Sequence, residues 1–310
     1  MEKISPRVDI AFKKIFGVEE NKDLLISLIN SIVGAADQVS DVTLLNPYNP
    51  KNFRNDKLSI LDIKAKGVDG KRFNIEIQIS DEADYDKRAL YYWAKLYTEQ
   101  LKVADDYAKL SKAIGIHILN FTSIPEVDKY HNVFNIIEKD TGLLYFKDLE
   151  LHTIELKKFI SNDQEEFADL ILKIKNSLDL WLAFLTRHDL LKIDQLPQEL
   201  ARNSVEKALH VIDVMNFSDE ERESYEGQLK WLRIEANTLK KAEAKGFTEG
   251  EAKGFVEGEA KGFVEGEAKG ALKTAKNIAI AMLKTGMNIE LIAKLTGLLP
   301  DGINDIRDKI

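Results

Sequence analysis

Residues 57–80, KLSILDIKAKGVDGKRFNIEIQIS, alternate with a period of two on both sides of a VDGK turn. That is the pattern of a β-hairpin. On the first strand Leu58, Ile60, Asp62 and Lys64 share a face; on the second Glu76 and Gln78 share one, with Ile75, Ile77 and Ile79 on the other. A carboxylate set among isoleucines is costly to bury, and two near each other raise each other's pKa. A divalent cation removes both costs, because hard cations take carboxylate oxygens.

Whether the two carboxylates meet depends on the turn. With Asp69-Gly70 at the centre of a two-residue type I′ turn, Asp62 faces Ile77, and Glu76 points through the other side of the sheet. With Val68-Asp69 at the centre of a type I turn and Gly70 as a left-handed bulge residue, the register moves by one. Asp62 then sits opposite Glu76, Ile60 opposite Gln78, and Lys64 opposite Asn74. Directly opposed residues share a face, so a metal site needs the bulged turn. A pure scaffold would have the carboxylates on opposite faces.

Around the hairpin, apolar spacing and breakers predict helices over 9–16, ended by Gly17, and over 21–33, ended by Gly34, with a strand over 39–45. A long aromatic-rich helix is expected over 85–102. Strands are expected over 112–121, 132–138 and 149–156, and mainly helix from 163 to about 240. Residues 243–270 repeat with period eight, EAKGFTEG-EAKGFVEG-EAKGFVEG-EAKG. Two short helices, AKNIAIAMLK and NIELIAKLTGL, then flank a Thr-Gly break, and Pro300 opens a last one.

The chain contains no cysteine, which excludes disulfides, cysteine nucleophiles and thiolate zinc sites and fits a reducing, cytoplasmic setting. The first residues carry no apolar signal core, and no stretch reaches eighteen apolar residues, so no membrane span is expected. The five histidines show no metal-ligand spacing, and neither a Gly-x-Ser-x-Gly nucleophile motif nor a phosphate-binding loop is present. The net charge is −8, but residues 1–120 hold 18 basic and 18 acidic side chains, so the excess acid lies further on. Arg54, Lys57, Lys64, Lys66, Lys71 and Arg72 form a local basic cluster. It reads either as a phosphate-contacting patch or as a solvated hairpin surface.

Five segments carry a family resemblance: DIAFKKIFG at 9–17, LLISLIN at 24–30, DKLSILDIKA at 56–65, FNIEIQIS at 73–80 and KRALYYWAKLYTEQL at 87–101. In order and spacing, over roughly residues 5–240, the chain resembles the Rpn recombination-promoting nucleases, also described as PD-(D/E)XK nuclease family transposases. The resemblance implies an α/β, restriction-endonuclease-like fold: a mixed sheet flanked by helices, followed by a helical C-terminal region. It also implies divalent-metal cleavage of DNA. Two positions depart from the pattern. Gln78 stands where the wider superfamily has lysine, although Rpn-like members commonly carry Glu-x-Gln. Ala104 stands before Asp105-Asp106-Tyr107 where the family tends to have Gly-x-x-Tyr.

On this resemblance Asp62, Glu76 and the backbone carbonyl of Ile77 would hold Mg²⁺ or Mn²⁺, which lowers the pKa of a bound water and stabilises charge on the phosphate. Gln78 would orient the water. It cannot supply a cation, and Lys64, on the Asp62 face, is preferred over Lys57 for that role. Asp9 is a candidate outer-shell carboxylate or simply the cap of the first helix. Lys57, Lys87, Arg88 and Tyr92 are candidate contacts to the DNA backbone. Tyr91, Trp93 and Tyr97 read instead as partly core.

The repeat places a glycine every four residues from Gly246 to Gly270. Each costs roughly 1 kcal/mol in a helix, while each i,i+4 Glu–Lys pair returns only about 0.2–0.5 kcal/mol. Either something packs on the stripe, as in a homo-oligomer built through the C-terminal region, or the segment is a linker. The expected organisation is a nuclease core over 1–160, a helical extension over 161–240, the repeat over 241–275 and a helix-turn-helix-like tail over 276–310. The tail reads equally as a docking module or a DNA reader. The runner-up to an endonuclease is a catalytically silent nuclease-fold DNA-binding or oligomeric regulator.

Overall fold

The alternating segments pair into one six-stranded sheet, β1 (Val42–Leu44), β2 (Asp62–Gly67), β3 (Arg72–Gln78), β4 (Ala113–Leu119), β5 (His131–Ile137) and β6 (Leu144–Glu155), in the order β1-β2-β3-β4-β6-β5. β1, β2 and β3 are antiparallel neighbours, β4 is parallel to both β3 and β6, and β5 is antiparallel to β6. The sheet is therefore mixed. β3 and β4 lie inside it and are buried almost throughout, as strands covered on both faces are. The computed structural model describes residues 4–48, 62–81, 84–160, 166–196 and 202–309. The expected strand residues 57–61, Lys57 and Arg54 lie outside these.

One face of the sheet, carrying Ile63, Ala65, Phe73, Ile75 and Ile77, joins the main core with α1 (Asp9–Phe16), α2 (Lys22–Ile32), α6 (Ser177–Arg187) and α7 (Arg202–Asp213). α2 buries Leu24, Leu25, Leu28, Ile29 and Ile32, one stripe at helical spacing. α6 starts with a reciprocal capping box between Asn176 and Asp179 and is buried along most of its length. The short helices α4 (Leu156–Phe159) and α5 (Phe167–Lys173) add Leu156, Phe159 and Leu170 to the same core. The opposite face, carrying Glu76, Gly115 and His117 at matched register, is covered by α3 (Tyr85–Thr98).

Several bounds differ from expectation for identifiable reasons. β1 is shorter because Val39 is taken out of the ladder: the Asn30 side chain bonds both its N–H and its C=O at 2.8 Å. α3 stops at Thr98, and two residues later the Gln100 amide bonds both backbone groups of Ser111. β6 begins earlier, at Leu144, because its pairing with β5 continues past an irregularity.

The chain forms two compact units, residues 1–234 and residues 235–310. Helix α8 (Asp219–Lys284) contributes to both units and runs through the repeat without a break, and AKNIAIAMLK is its last part rather than a separate short helix. Residues 243–270 are helical throughout. Phe247, Phe255 and Phe263 are exposed, and a Cβ built at any of the seven repeat glycines meets nothing within 4 Å. In the second unit, α9 (Ile289–Thr296) and α10 (Pro300–Arg307) close on the end of α8 around Ala279, Ile292 and Ile303. The turn between them uses Gly297 in the left-handed region at φ 72°.

Candidate functional site

The turn decides the site. Gly70 donates its N–H to Gly67 O at 3.0 Å across Val68-Asp69, Gly67 donates to Lys71 O at 2.9 Å, and Gly70 sits at φ +89°. This is the bulged turn, with glycine where a Cβ would be strained. Lys66 then pairs with Arg72, Lys64 with Asn74, and Asp62 with Glu76. The carboxylates of Asp62 and Glu76 lie on one face, and the opposite-face arrangement that a pure scaffold requires is not the one formed.

Asp62 is half-buried at the first residue of β2, and Asn46 pins the strand there, accepting from Lys64 N at 2.7 Å and donating to Asp62 O at 3.1 Å. Glu76 is 1% exposed. Its Oε1 accepts from Arg88 Nη2 at 2.6 Å, and its Oε2 lies 3.8 Å from His117 Nδ1. His117 is the β4 residue in register with Glu76. Burial, with the Arg88 charge next, lowers its pKa to about 4, so the ring is neutral at pH 7, and it shares a 2.8 Å hydrogen bond with Tyr85 OH.

α1 supplies a third carboxylate. Asp9 makes no side-chain cap on its helix, which corrects the capping alternative. Its Oδ2 instead accepts from Gln228 Nε2 of α8 at 3.0 Å, and its buried Oδ1 has no hydrogen-bond partner among the described residues. Burial, and then the negative charge of Glu76, push the Asp9 pKa up to about 7. Helix α8 is fixed here by three residues on one of its faces. Glu221 accepts from Lys14 and from Tyr48 OH, Tyr225 OH accepts from Ser5 N at 2.8 Å, and Gln228 reaches Asp9.

The other expected residues fall as follows. Gln78 is buried on β3, and its amide donates to Ser80 O at 3.2 Å. Ile77 follows Glu76 on the same strand, its side chain in the core. Lys64 lies on the Asp62 face, but its Nζ is 3.5 Å from Glu99. Lys87 is exposed and pairs with Asp84 at 2.5 Å. Arg88 reaches inward to Glu76, with its guanidinium 5.6 Å from the Tyr92 ring centre. Of the aromatic trio, Trp93 is buried, Tyr97 stacks on it at 5.2 Å, and Tyr91 is exposed. The basic cluster is partly self-neutralised, because Lys71 pairs with Asp69 and Asp37.

Sequence reasoning missed Tyr85, Asn46, His117 and Gln228 as neighbours of the carboxylates. Only His117 carried a signal, as the one polar ring in the apolar strand KAIGIHILNF. The fit to a divalent cation rests on the two opposed carboxylates, on a third, Asp9, that feels the charge of Glu76, and on its buried oxygen, which has no partner among the described residues. Among the described residues, no set of three His, Asp or Glu side chains is already gathered as a metal cluster.

No curated protein and no solved structure matches the chain. The model of the PD-(D/E)XK nuclease family transposases matches residues 6–242, a span that contains the whole sheet, α3 and the part of α8 that touches Asp9. The chain belongs to the PD-(D/E)XK nuclease family transposases.

Proposed function

We propose that the protein is a metal-dependent DNA endonuclease that hydrolyses phosphodiester bonds, with Mg²⁺ or Mn²⁺ held by Asp62, Glu76 and the Ile77 carbonyl. The observation that carries the reading is the register of the hairpin, which sets Asp62 opposite Glu76. When bound there, a divalent cation supplies an activated water and charge for the phosphate. In this reading Gln78 orients that water and Asp9 stands behind as an outer-shell carboxylate. The remaining positive charge comes from Arg88, which already reaches Glu76, more readily than from Lys64, which is engaged by Glu99. Lys57, Lys87 and Tyr92 contact the DNA backbone.

Residues 1–160 carry the chemistry and 161–240 brace it, since Gln228 and Glu221 hold α1. The 241–275 repeat is a homo-oligomer contact, supported by its exposed phenylalanines. The 276–310 tail is a docking module. Its last helix exposes Asp301 and Asp305, which repel phosphate. A cysteine-free chain suits the cytoplasm, and no described helix is long and apolar enough to cross a membrane. Recombination, transposition and defence against foreign DNA all use such an activity.

The test is plasmid cleavage by the purified chain with Mg²⁺, with Mn²⁺, with EDTA, and by Asp62→Ala in parallel. Cleavage that needs both the metal and Asp62 is the expected result. No cleavage by a folded protein in any lane overturns it in favour of a silent, nuclease-fold DNA-binding regulator. That second reading draws on the Arg88 guanidinium, which already neutralises Glu76 without a metal.

A further inference from the structure

The two edges of the sheet are treated differently. β1 is three residues long, a common way to blunt an edge. β5 has seven residues, and from His131 to Ile137 it contains no Lys, Arg, Asp, Glu or Pro. Val133, Phe134, Ile136 and Ile137 on it are 43–57% exposed, an apolar content unusual for a strand that no other described strand pairs on its outer side. Both irregularities beside it place the extra residues on the inner strand. From Phe134 to Ile136 β5 advances two residues, while its β6 partners run from Leu151 to Phe146, five residues. From Ile136 to Ile137, too, β5 advances one residue while β6 runs two, from Phe146 to Leu144. β5 itself therefore continues as an extended strand, and Asn135 fastens it inward through a 3.1 Å bond from Nδ2 to Leu149 O.

The strand is also self-complementary. About a two-fold axis through Asn135, antiparallel pairing sets Val133 opposite Ile137 and Phe134 opposite Ile136. The apolar residues then match apolar residues on both faces. One step further out, Asn132 meets Glu138 and His131 meets Lys139. Burial and the neighbouring His152 hold the His131 pKa down to about 4, so no like charges oppose across the axis. A strand evolved against self-pairing carries the reverse: a charge that meets its own image.

We propose that β5 is the interface for a second copy of this chain, which adds its own β5 antiparallel about Asn135 to form a continuous twelve-stranded sheet. Isologous contact of this kind is the commonest route to a closed dimer, and it satisfies the outward backbone groups of both edges. It is separate from any contact made by the repeat, and it does not depend on nuclease activity.

The absence of native cysteine makes the test specific. In full-length Asn135→Cys the two thiols lie across the axis, within the 4.4–6.8 Å Cα separation that a disulfide spans. Mild oxidation is expected to convert most of the protein to a covalent dimer on a non-reducing gel. Tyr145→Cys, exposed but on the inner strand, is expected not to cross-link. Adding Phe134→Lys and Ile136→Lys to Asn135→Cys should abolish the cross-link, with the circular dichroism spectrum unchanged because both side chains are solvent-exposed. Cross-linking of Asn135→Cys no faster than of Tyr145→Cys overturns the proposal. So does cross-linking that survives the two lysines.

Discussion

Arg88 Nη2 donates to Glu76 Oε1 over 2.6 Å, from a guanidinium at the sheet surface to a carboxylate that is 1% exposed. The pair brings a cation from α3 to the carboxylate of β3, where the wider superfamily places a lysine and this chain has Gln78. Removing one partner of such a pair takes compensation away from a buried charge. Arg88→Ala should cost about 3 kcal/mol, the lower end for a buried pair because the arginine is partly solvated. Urea unfolding measures it. Millimolar Mn²⁺ should restore more stability to Arg88→Ala than it adds to wild type, since the cation takes over the lost charge.

The bulged turn gives a second expectation. Gly70 lies at φ +89°, and a Cβ built on it would come within 2.8 Å of Ser111 Oγ. Gly70→Ala should destabilise by about 1–3 kcal/mol through left-handed strain and this contact. Deleting Lys71 instead, with the bulged turn kept, sets Gly67 opposite Arg72 and shifts the register by one, so that Asp62 faces Ile77 and Glu76 turns to the other face. Divalent-cation binding, read by calorimetry, should then be lost even in molecules that still fold.

Ala104 shows the converse. It adopts φ +71°, the only non-glycine described residue with positive φ, within a turn closed by Asp105 N to Lys102 O at 3.1 Å. The family tends to place glycine here, and the geometry explains why. Ala104→Gly should stabilise by about 0.5–1 kcal/mol, the relief of strain exceeding the extra freedom of the unfolded chain. A raised thermal midpoint with unchanged cleavage is the expected reading.

The pH dependence follows from the β5–β6 pair. His131 Nε2 and His152 Nδ1 share a 2.9 Å hydrogen bond, and burial first, then the charge of His152, lowers the His131 pKa to about 4. Between pH 6.5 and 4 the unfolded chain therefore binds more protons at this residue than the folded one. Stability falls as the pH drops through that window. His117, also depressed to about 4, acts with the same sign. His131→Gln should flatten, without abolishing, the decline of the urea midpoint between pH 7 and 4.5. Glu150, lowered to about 2 by its bonds from His152 and Lys112, should add a further loss only below about pH 4.5.

The sequence by itself determined the elements and the chemistry that one hairpin can carry. Alternation placed β2 and β3, glycine ended α1, and the carboxylates named a cation as their natural partner. All of these are local, set by side-chain periods of 2 and 3.6 and by backbone sterics. Even the choice of turn was narrowed to two registers that differ by one residue. The tertiary structure decided which register formed. It also decided what surrounds Glu76: Arg88 from α3, His117 from the next parallel strand, and Asp9 from α1. Asp9 is held in turn by Gln228, 219 residues away along the chain. Such meetings depend on how layers pack, and no local period encodes them. The same holds for the repeat. Its period left a packed stripe and a linker both open, and the structure makes it part of one continuous helix with its phenylalanines exposed.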